Sequence, residues 1–359
     1  MKVKKNSYHV LGLMSGTSLD GLDIAYTSIA YKNKWKAKII AGTTIKYTAA
    51  WKKKLGNAHL LGGEELLALH AAYGKFIGEQ CMDFIRQNKI QQLDLIASHG
   101  HTVFHQPHNG FTFQLGDGNT IHRITGMPVV YDFRSLDVTL GGQGAPLVPI
   151  GDHYLFSGYE VCLNLGGIAN LSMEIKGVRK AFDICFANMG LNHLVNKINK
   201  QYDRGGAIAA KGKVDKKLVQ QLRAVYQPLR KTRPSLGREG FEKEIQPLLD
   251  NDSISLQDRL RTFCESIAEE IARAVPPSDH VLKLIATGGG AYNTFFINVL
   301  ADKLKGKAKV IVPDQKIIEF KEALVFALLG VLRLRHEVNA LKSVTGAIRD
   351  SSGGLIVGA

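Results

Sequence analysis

The sequence predicts an α/β protein built of two related halves, and three stretches carry that prediction. Residues 10–30, VLGLMSGTSLDGLDIAYTSIA, read as a strand, a tight Gly/Ser/Thr turn and a second strand. Residues 161–175, VCLNLGGIANLSMEI, repeat the device with a Gly-Gly turn and the amide Asn170. Residues 282–296, LKLIATGGGAYNTFF, read as a buried strand entering Gly288, Gly289 and Gly290 and then a helix.

In the first turn Gly12, Gly16 and Gly21 offer positive φ and close backbone approach, and Ser15, Thr17 and Ser18 offer hydroxyl donors. Such a loop either holds phosphate on backbone N–H groups or is an ordinary hairpin turn. Asp20, in the same turn, is an acid able to hold a metal ion or its waters beside that phosphate. Recurrence of the device favours phosphate, with a nucleotide lying between the two halves.

Composition narrows the class. A length of 359 residues fits two domains, and a 45% hydrophobic content is enough for a core in each. Cys81, Cys162, Cys185 and Cys264 are scattered with no C-x-x-C pair, which fits reduced thiols rather than a disulfide frame or zinc site. No apolar run is long enough to span a bilayer, and MKVKKNSYHVLGLM has neither a long apolar core nor a cleavage site. A cytoplasmic protein, with no membrane partner, is expected. The net charge of +14 raises nucleic acid, but the lysines are dispersed over separate segments without interleaved stacking aromatics. A solvated basic face and an anionic small substrate are expected instead.

In chain order, residues 39–47 extend the opening meander, and residues 61–86 have helical spacing through Leu66, Leu69, Tyr73, Phe76 and Ile77. A short strand at 93–98 ends at HGHTVFHQPH, read as a loop. Its four histidines lack a neighbouring carboxylate or cysteine, so hydrogen bonding to a polar substrate is preferred to metal binding. After a strand ending at Asp132 and Arg134, residues 135–149 form a Gly/Pro-rich loop where the first half passes to the second. Arg134 either pairs a substrate carboxylate or makes a structural ion pair. Asp137 and Gln143 are candidates to hold hydroxyl or amide groups.

Asp183 comes near the end of a strand, where an acid is either a cap or a catalyst. Residues 202–240 read as a surface excursion carrying Arg238, and residues 256–275 as an amphipathic helix. Glu322 opens an apolar helix, facing either a cleft or the helix dipole. The tail from SVTGA reads as a strap over the core.

Taken together, MSGTSLDGLDIA, SHGHTVFHQP, TFQLGDG, VVYDFRSLDVTLGGQGAPLVP, LNLGGIANLS, SLGRE, ATGGGAYN, KEALVFALLG and SVTGA resemble the anhydro-N-acetylmuramic acid kinases, in family order over nearly the whole chain. The resemblance implies two RNase H-like lobes of the actin/hexokinase/Hsp70 type, divided at 1–133 and 134–359, with ATP in the cleft and the tail packing back on the first lobe. It implies an ATP- and Mg2+-dependent kinase, a homodimer, that opens the anhydro sugar with water and phosphorylates O6 during cell-wall recycling. Gly16, Thr17, Ser18, Leu19, Asp20, Gly21, Leu22, Asp23, Gly166, Gly167, Gly288, Gly289 and Gly290 would serve ATP, with Asp20 toward the metal. Asp183 would be the general base. His101, Thr102, Gln114, Arg134, Asp137, Gln143, Asn188 and Glu322 would face the sugar.

The chain departs from the family at one place. Where much of the family has Asp-x-Gly-Pro-Gly-Asn, it has Asp183-Ile184-Cys185-Phe186-Ala187-Asn188. Losing two glycines adds bulk where the backbone should approach the sugar, so Phe186 is expected to narrow or reshape the pocket. A kinase for a different amino sugar, or a nucleotide-binding protein without turnover, is the alternative this departure leaves open.

Overall fold

The computed structural model describes residues 5–358. The chain divides into two compact units, Met1–Phe156 with Phe320–Ala359, and Ser157–Glu319.

Unit 1 contains β1 (Ser7–Ser15), β2 (Gly21–Lys32), β3 (Lys34–Lys46), β4 (Leu95–Gln106), β5 (Phe111–Leu115), β6 (Val129–Tyr131) and, at the end of the chain, β12 (Leu355–Val357). Their sheet runs β12-β6-β4-β1-β2-β3, with β5 paired to β4. β1, β2 and β3 form an antiparallel meander, and β4 and β6 follow parallel to β1. Alternation along β1 explains its two covers, because side chains of neighbouring residues point to opposite faces. Leu11 and Leu13 pack with Leu69, Tyr73 and Ile77 of helix α1 (Gly63–Gln87), whereas Val10 packs with Val325, Phe326 and Leu329 near the chain's other end.

Unit 2 repeats the plan with β7 (Val161–Leu165), β8 (Ile168–Ile175), β9 (Val178–Phe186), β10 (Leu282–Thr287) and β11 (Ala308–Ile311), in the order β11-β10-β7-β8-β9. Again three antiparallel strands are followed by two parallel ones. The order third, second, first, fourth, fifth is thus common to both sheets, and the chain has two RNase H-like lobes of the actin/hexokinase/Hsp70 type. One core in unit 2 joins this sheet to α2 (Asn188–Asn196), α3 (Lys216–Thr232), α4 (Leu256–Ala274) and α5 (Thr294–Lys303). Helix α6 (Gln315–Leu334) has non-helical backbone at Phe320, the residue at which the chain re-enters unit 1.

Four expectations change. The chain leaves unit 1 after Phe156 rather than 133, because the 135–149 loop and the helix Pro149–Leu155 belong to that unit's packing. HGHTVFHQPH is largely strand: β4 parallels β1 as far as His101, with a register shift after Ser98, and from His101 onward forms a hairpin with β5. β3 starts earlier than expected, at Lys34. The excursion at 202–240 is not only surface, since α3 buries Leu218, Leu222 and Tyr226.

Candidate active site

In unit 1 the first glycine turn, residues 16–20, joins β1 to β2, and its Thr17, Ser18 and Asp20 are exposed. Leu19 takes the left-handed backbone (φ 59°) and donates its N–H to the Gly16 carbonyl, 3.3 Å away. Gly12, Gly16 and Gly21 do not have positive φ, contrary to expectation. Close approach explains two of them. A Cβ on Gly12 would run into the Ala323 carbonyl of α6, and one on Gly21 would lie 2.5 Å from the Ile45 oxygen. Gly21, Leu22 and Asp23 are ladder residues of β2; Leu22 is core, so only its backbone is available to a ligand, and Asp23 accepts from Thr44 Oγ1 at 2.5 Å.

Ser15 also differs from expectation, because it is buried and turned inward. Its Oγ lies 2.9 Å from His101 Nδ1 and 2.7 Å from the Tyr47 hydroxyl, which in turn meets the Tyr73 hydroxyl at 2.6 Å. Burial pushes the His101 imidazole down to about 4, so it is neutral at physiological pH. This buried chain of groups supports the turn from beneath.

Beside it, Thr102 pairs across the ladder with Gln114, whose Nε2 donates to Thr112 Oγ1 at 2.8 Å. Gln114 Oε1 is buried without a hydrogen-bond partner, an acceptor suited to a ligand N–H or O–H.

Arg134 donates to His99 Nε2 from Nε (3.0 Å) and Nη2 (2.9 Å), and to the Gly144 carbonyl from Nη1 (2.6 Å). Burial lowers its pKa to about 10, against the pull of Glu322 and Asp137, and the guanidinium stays charged. Burial raises the Glu322 carboxyl, and Lys321 and Arg134 oppose that rise. Lys321 is itself held by Asp152 at 2.7 Å.

Asp137 has a different part from the one expected. It is buried, with Oδ1 accepting from Thr345 Oγ1 at 2.7 Å and Oδ2 from the Gly144 amide at 2.8 Å. Both oxygens therefore fasten the 135–149 loop and the tail. Gln143 remains exposed on that loop, its backbone N–H on the Thr345 carbonyl.

In unit 2 the two glycine turns meet at Asn188. The Gly166 and Gly167 carbonyls accept from the amides of Asn188, Ala187 and Met189 at the start of α2. Asn188 Nδ2 donates to the Leu165 carbonyl at 2.8 Å and lies 3.9 Å from where a Cβ on Gly289 would stand. Gly288 has φ 80°, and a Cβ there would be 2.5 Å from Asn164 Oδ1. Asn188 thus ties the two glycine turns together. An open pocket of about 380 Å³ is lined by Lys200, Tyr202, Arg204 and Ile208, and the neighbouring Gly206 lies against Asn293, the cap of α5. The Arg204-Gly205-Gly206 run was its sequence signal.

Asp183 lies within β9, opposite Asn170, and is half-buried. Burial raises its carboxyl and the Leu236 amide, donating to Oδ2 at 2.9 Å, restrains the rise. Phe186 does not narrow a pocket. It is 1% exposed, packs edge-on against Phe241 with ring centres 5.7 Å apart, and pairs with Ile168 in a β9 that continues through the altered segment. The ladder donor there is the Ala187 amide, on the Gly167 carbonyl at 2.8 Å, and the Phe186 amide turns away from β8 toward Tyr226. Arg238 is exposed and paired with Glu242 at 2.7 Å.

All four cysteines are free and buried, and no three His, Cys, Asp or Glu side chains group to hold a metal ion among the described residues. No helix among them is long and apolar enough to cross a membrane.

A family model described as anhydro-N-acetylmuramic acid kinase matches residues 8–359. An anhydro-N-acetylmuramic acid kinase of Gloeobacter violaceus is 35% identical, covering 94% of this chain and 96% of its own. One of Sulfurimonas denitrificans is 31% identical, covering 96% and 98%. Among solved structures, the activator of 2-hydroxyisocaproyl-CoA dehydratase from Clostridium difficile with bound ADPNP aligns over 91% of this chain and 96% of its own, at 14% identity and TM-score 0.45. The fold rests on the strand order described above, and the full-length match in sequence decides the family: the chain belongs to the anhydro-N-acetylmuramic acid kinases.

Proposed function

We propose that the protein uses ATP and water to convert 1,6-anhydro-N-acetylmuramic acid to N-acetylmuramic acid 6-phosphate and ADP, in peptidoglycan recycling. The observation that carries the mechanism is Asp183, a half-buried carboxylate with Oδ2 occupied by the Leu236 amide and its pKa raised by burial. A base of that kind suits removal of a proton from water. As the water oxygen bonds to C1, its proton passes to Asp183 and the C1–O6 bond breaks. O6 takes the γ-phosphoryl group, the bond to the β-phosphate oxygen breaks, and ADP leaves. Phosphorylation of the leaving oxygen replaces the general acid, so one carboxylate is enough where a glycosidase needs two.

The turn bearing Gly16, Thr17, Ser18, Leu19 and Asp20 would hold phosphate, as would Gly166 and Gly167, with backbone amides supplying preorganised donors. Gly288, Gly289 and Gly290 would lie on the adenosine side, with the pocket at Tyr202 and Arg204 for the nucleoside. His101, Thr102, Gln114, Arg134, Gln143 and Glu322 would face the sugar, Gln114 Oε1 accepting one of its donors. Asp137 would position the loop that bears Gln143. Asp20 is exposed, and a single hard carboxylate oxygen fits Mg2+, which keeps most of its waters. Bound there, the ion would neutralise phosphate charge. A cytoplasmic homodimer that binds neither nucleic acid nor membrane completes the reading.

The test is coupled ADP release with the anhydro sugar against a panel of free amino sugars, in water labelled with heavy oxygen. Label at C1, with turnover on the anhydro sugar alone, is expected. Turnover on a free sugar without label would replace this reaction by plain hydroxyl phosphorylation. Asp183→Asn should cost about a thousandfold in kcat with ATP affinity retained.

A further inference from the structure

Two elements meet β9 around Asp183. From β8, Asn170 faces it, and the ladder slips there so that Ile184 has no partner and the strand bends between the acid and Asn188. From the segment after α3, Leu236 reaches back over 53 residues to donate its N–H to Oδ2. Arg233, at the start of that segment, lays its guanidinium 3.8 Å from the centre of the ring of Phe182, the residue before the acid.

Arg233 ends α3 in a left-handed conformation, φ 46°, with its N–H on the Leu229 carbonyl at 2.8 Å. One turn earlier Arg230 donates from Nε and Nη2 to both oxygens of Glu270 on α4, each at 2.6 Å. Glu270 is 2% exposed, so this bidentate pair fixes the end of α3 on the core of unit 2. A second fork, Arg223 on Glu269 at 2.8 Å, aligns the helix two turns before.

We propose that residues 230–236 are a positioning arm for Asp183: Arg230 anchors it on Glu270, Arg233 clamps it on Phe182, and the Leu236 amide occupies Oδ2. Oδ1 alone is then left for the attacking water. The arm deepens the reading of Asp183 as the base and depends on it. It also sets the charge state of the acid. Burial disfavours the carboxylate, and an amide donating to it favours the ionised form. The titratable group coupled to it is Cys185 further along β9, whose thiol is pushed up by burial and by the Glu270 and Asp183 charges; on the arm the charged group is Arg233, seated on the neighbouring Phe182 ring, and from β8 the facing residue is the uncharged Asn170.

The pH profile of kcat/KM for ADP release with the anhydro sugar tests this. Leu236→Pro removes the donor, and Arg233→Gly suits the backbone while removing the clamp. In both, loss of activity should be roughly tenfold greater on the acid side of the profile than on the alkaline side, because the base now needs a higher pH to ionise. Arg233→Lys, which keeps a cation for the ring, should preserve the shape. The carboxyl carbon of Asp183, followed by NMR in the protein without ligands, should titrate at higher pH in Arg233→Gly, and this holds even where Leu236→Pro does not fold. A loss uniform across pH together with an unmoved carbon titration overturns the arm. If Asp183→Asn is inactive while the arm variants leave profile and titration unmoved, the arm alone is wrong; if Asp183→Asn retains turnover, the base assignment falls first.

Discussion

Gly12 of β1 lies directly against Ala323 of α6, with no room for a Cβ before the Ala323 carbonyl oxygen. The contact seats the part of α6 that bears Glu322 on the strand that leads into the first turn. A backbone oxygen cannot swing aside as a side chain can. Gly12→Ala should therefore destabilise the protein by about 3 kcal/mol, seen as a lower unfolding temperature, with loss of sugar affinity as α6 is pushed off the sheet.

His101 predicts how acid acts on the fold. Its native pKa, about 4, lies below the ordinary 6.5, so between these values an unfolded chain takes up a proton that the native one refuses. Stability from this group is complete above pH 6.5 and falls by about 3 kcal/mol by pH 4. His70, His99 and His105 are shifted in the same direction, and burial is the largest cause for each. In denaturant titrations over that range, His101→Gln should show a shallower dependence of stability on pH than the parent. Parallel curves would mean that His101 is protonated in the native protein.

Thr345 and Asp137 tie the tail to the 135–149 loop through a buried 2.7 Å hydrogen bond. Thr345→Val keeps the volume and leaves one carboxylate oxygen short of a donor. A loss of about 2 kcal/mol is expected. Because Gln143 rides on the same loop, KM for the sugar should rise more than kcat falls, and steady-state kinetics checks this.

Phe186 separates a core role from a pocket role. Phe186→Ala should cost about 4 kcal/mol in stability by emptying a site beside Phe241. Phe186→Leu should lose less and leave KM for the sugar near the parent value. Phe186→Pro, the residue common in the family, should be worse than Leu here, because it also removes the backbone donor that faces the buried Tyr226 hydroxyl. A selective change in sugar KM in Phe186→Leu would return the ring to the pocket.

Much of this protein was legible in its sequence. The glycine turns, the meanders before them and the family follow from short stretches whose backbone preferences are local, and they recur in order along the chain. Where Phe186, Ser15 and Asp137 point was not legible. A side chain's direction on a strand depends on register with partners distant in sequence, and one slip, such as that at Ile184, reverses it. The Leu236 amide is the extreme case: a backbone donor carries no residue-type signal, and only tertiary packing brings it to an acid 53 residues away. By itself the sequence determined the two-lobed plan and singled out Asp183 as a candidate; tertiary structure decided which oxygen of that acid is held and what holds it.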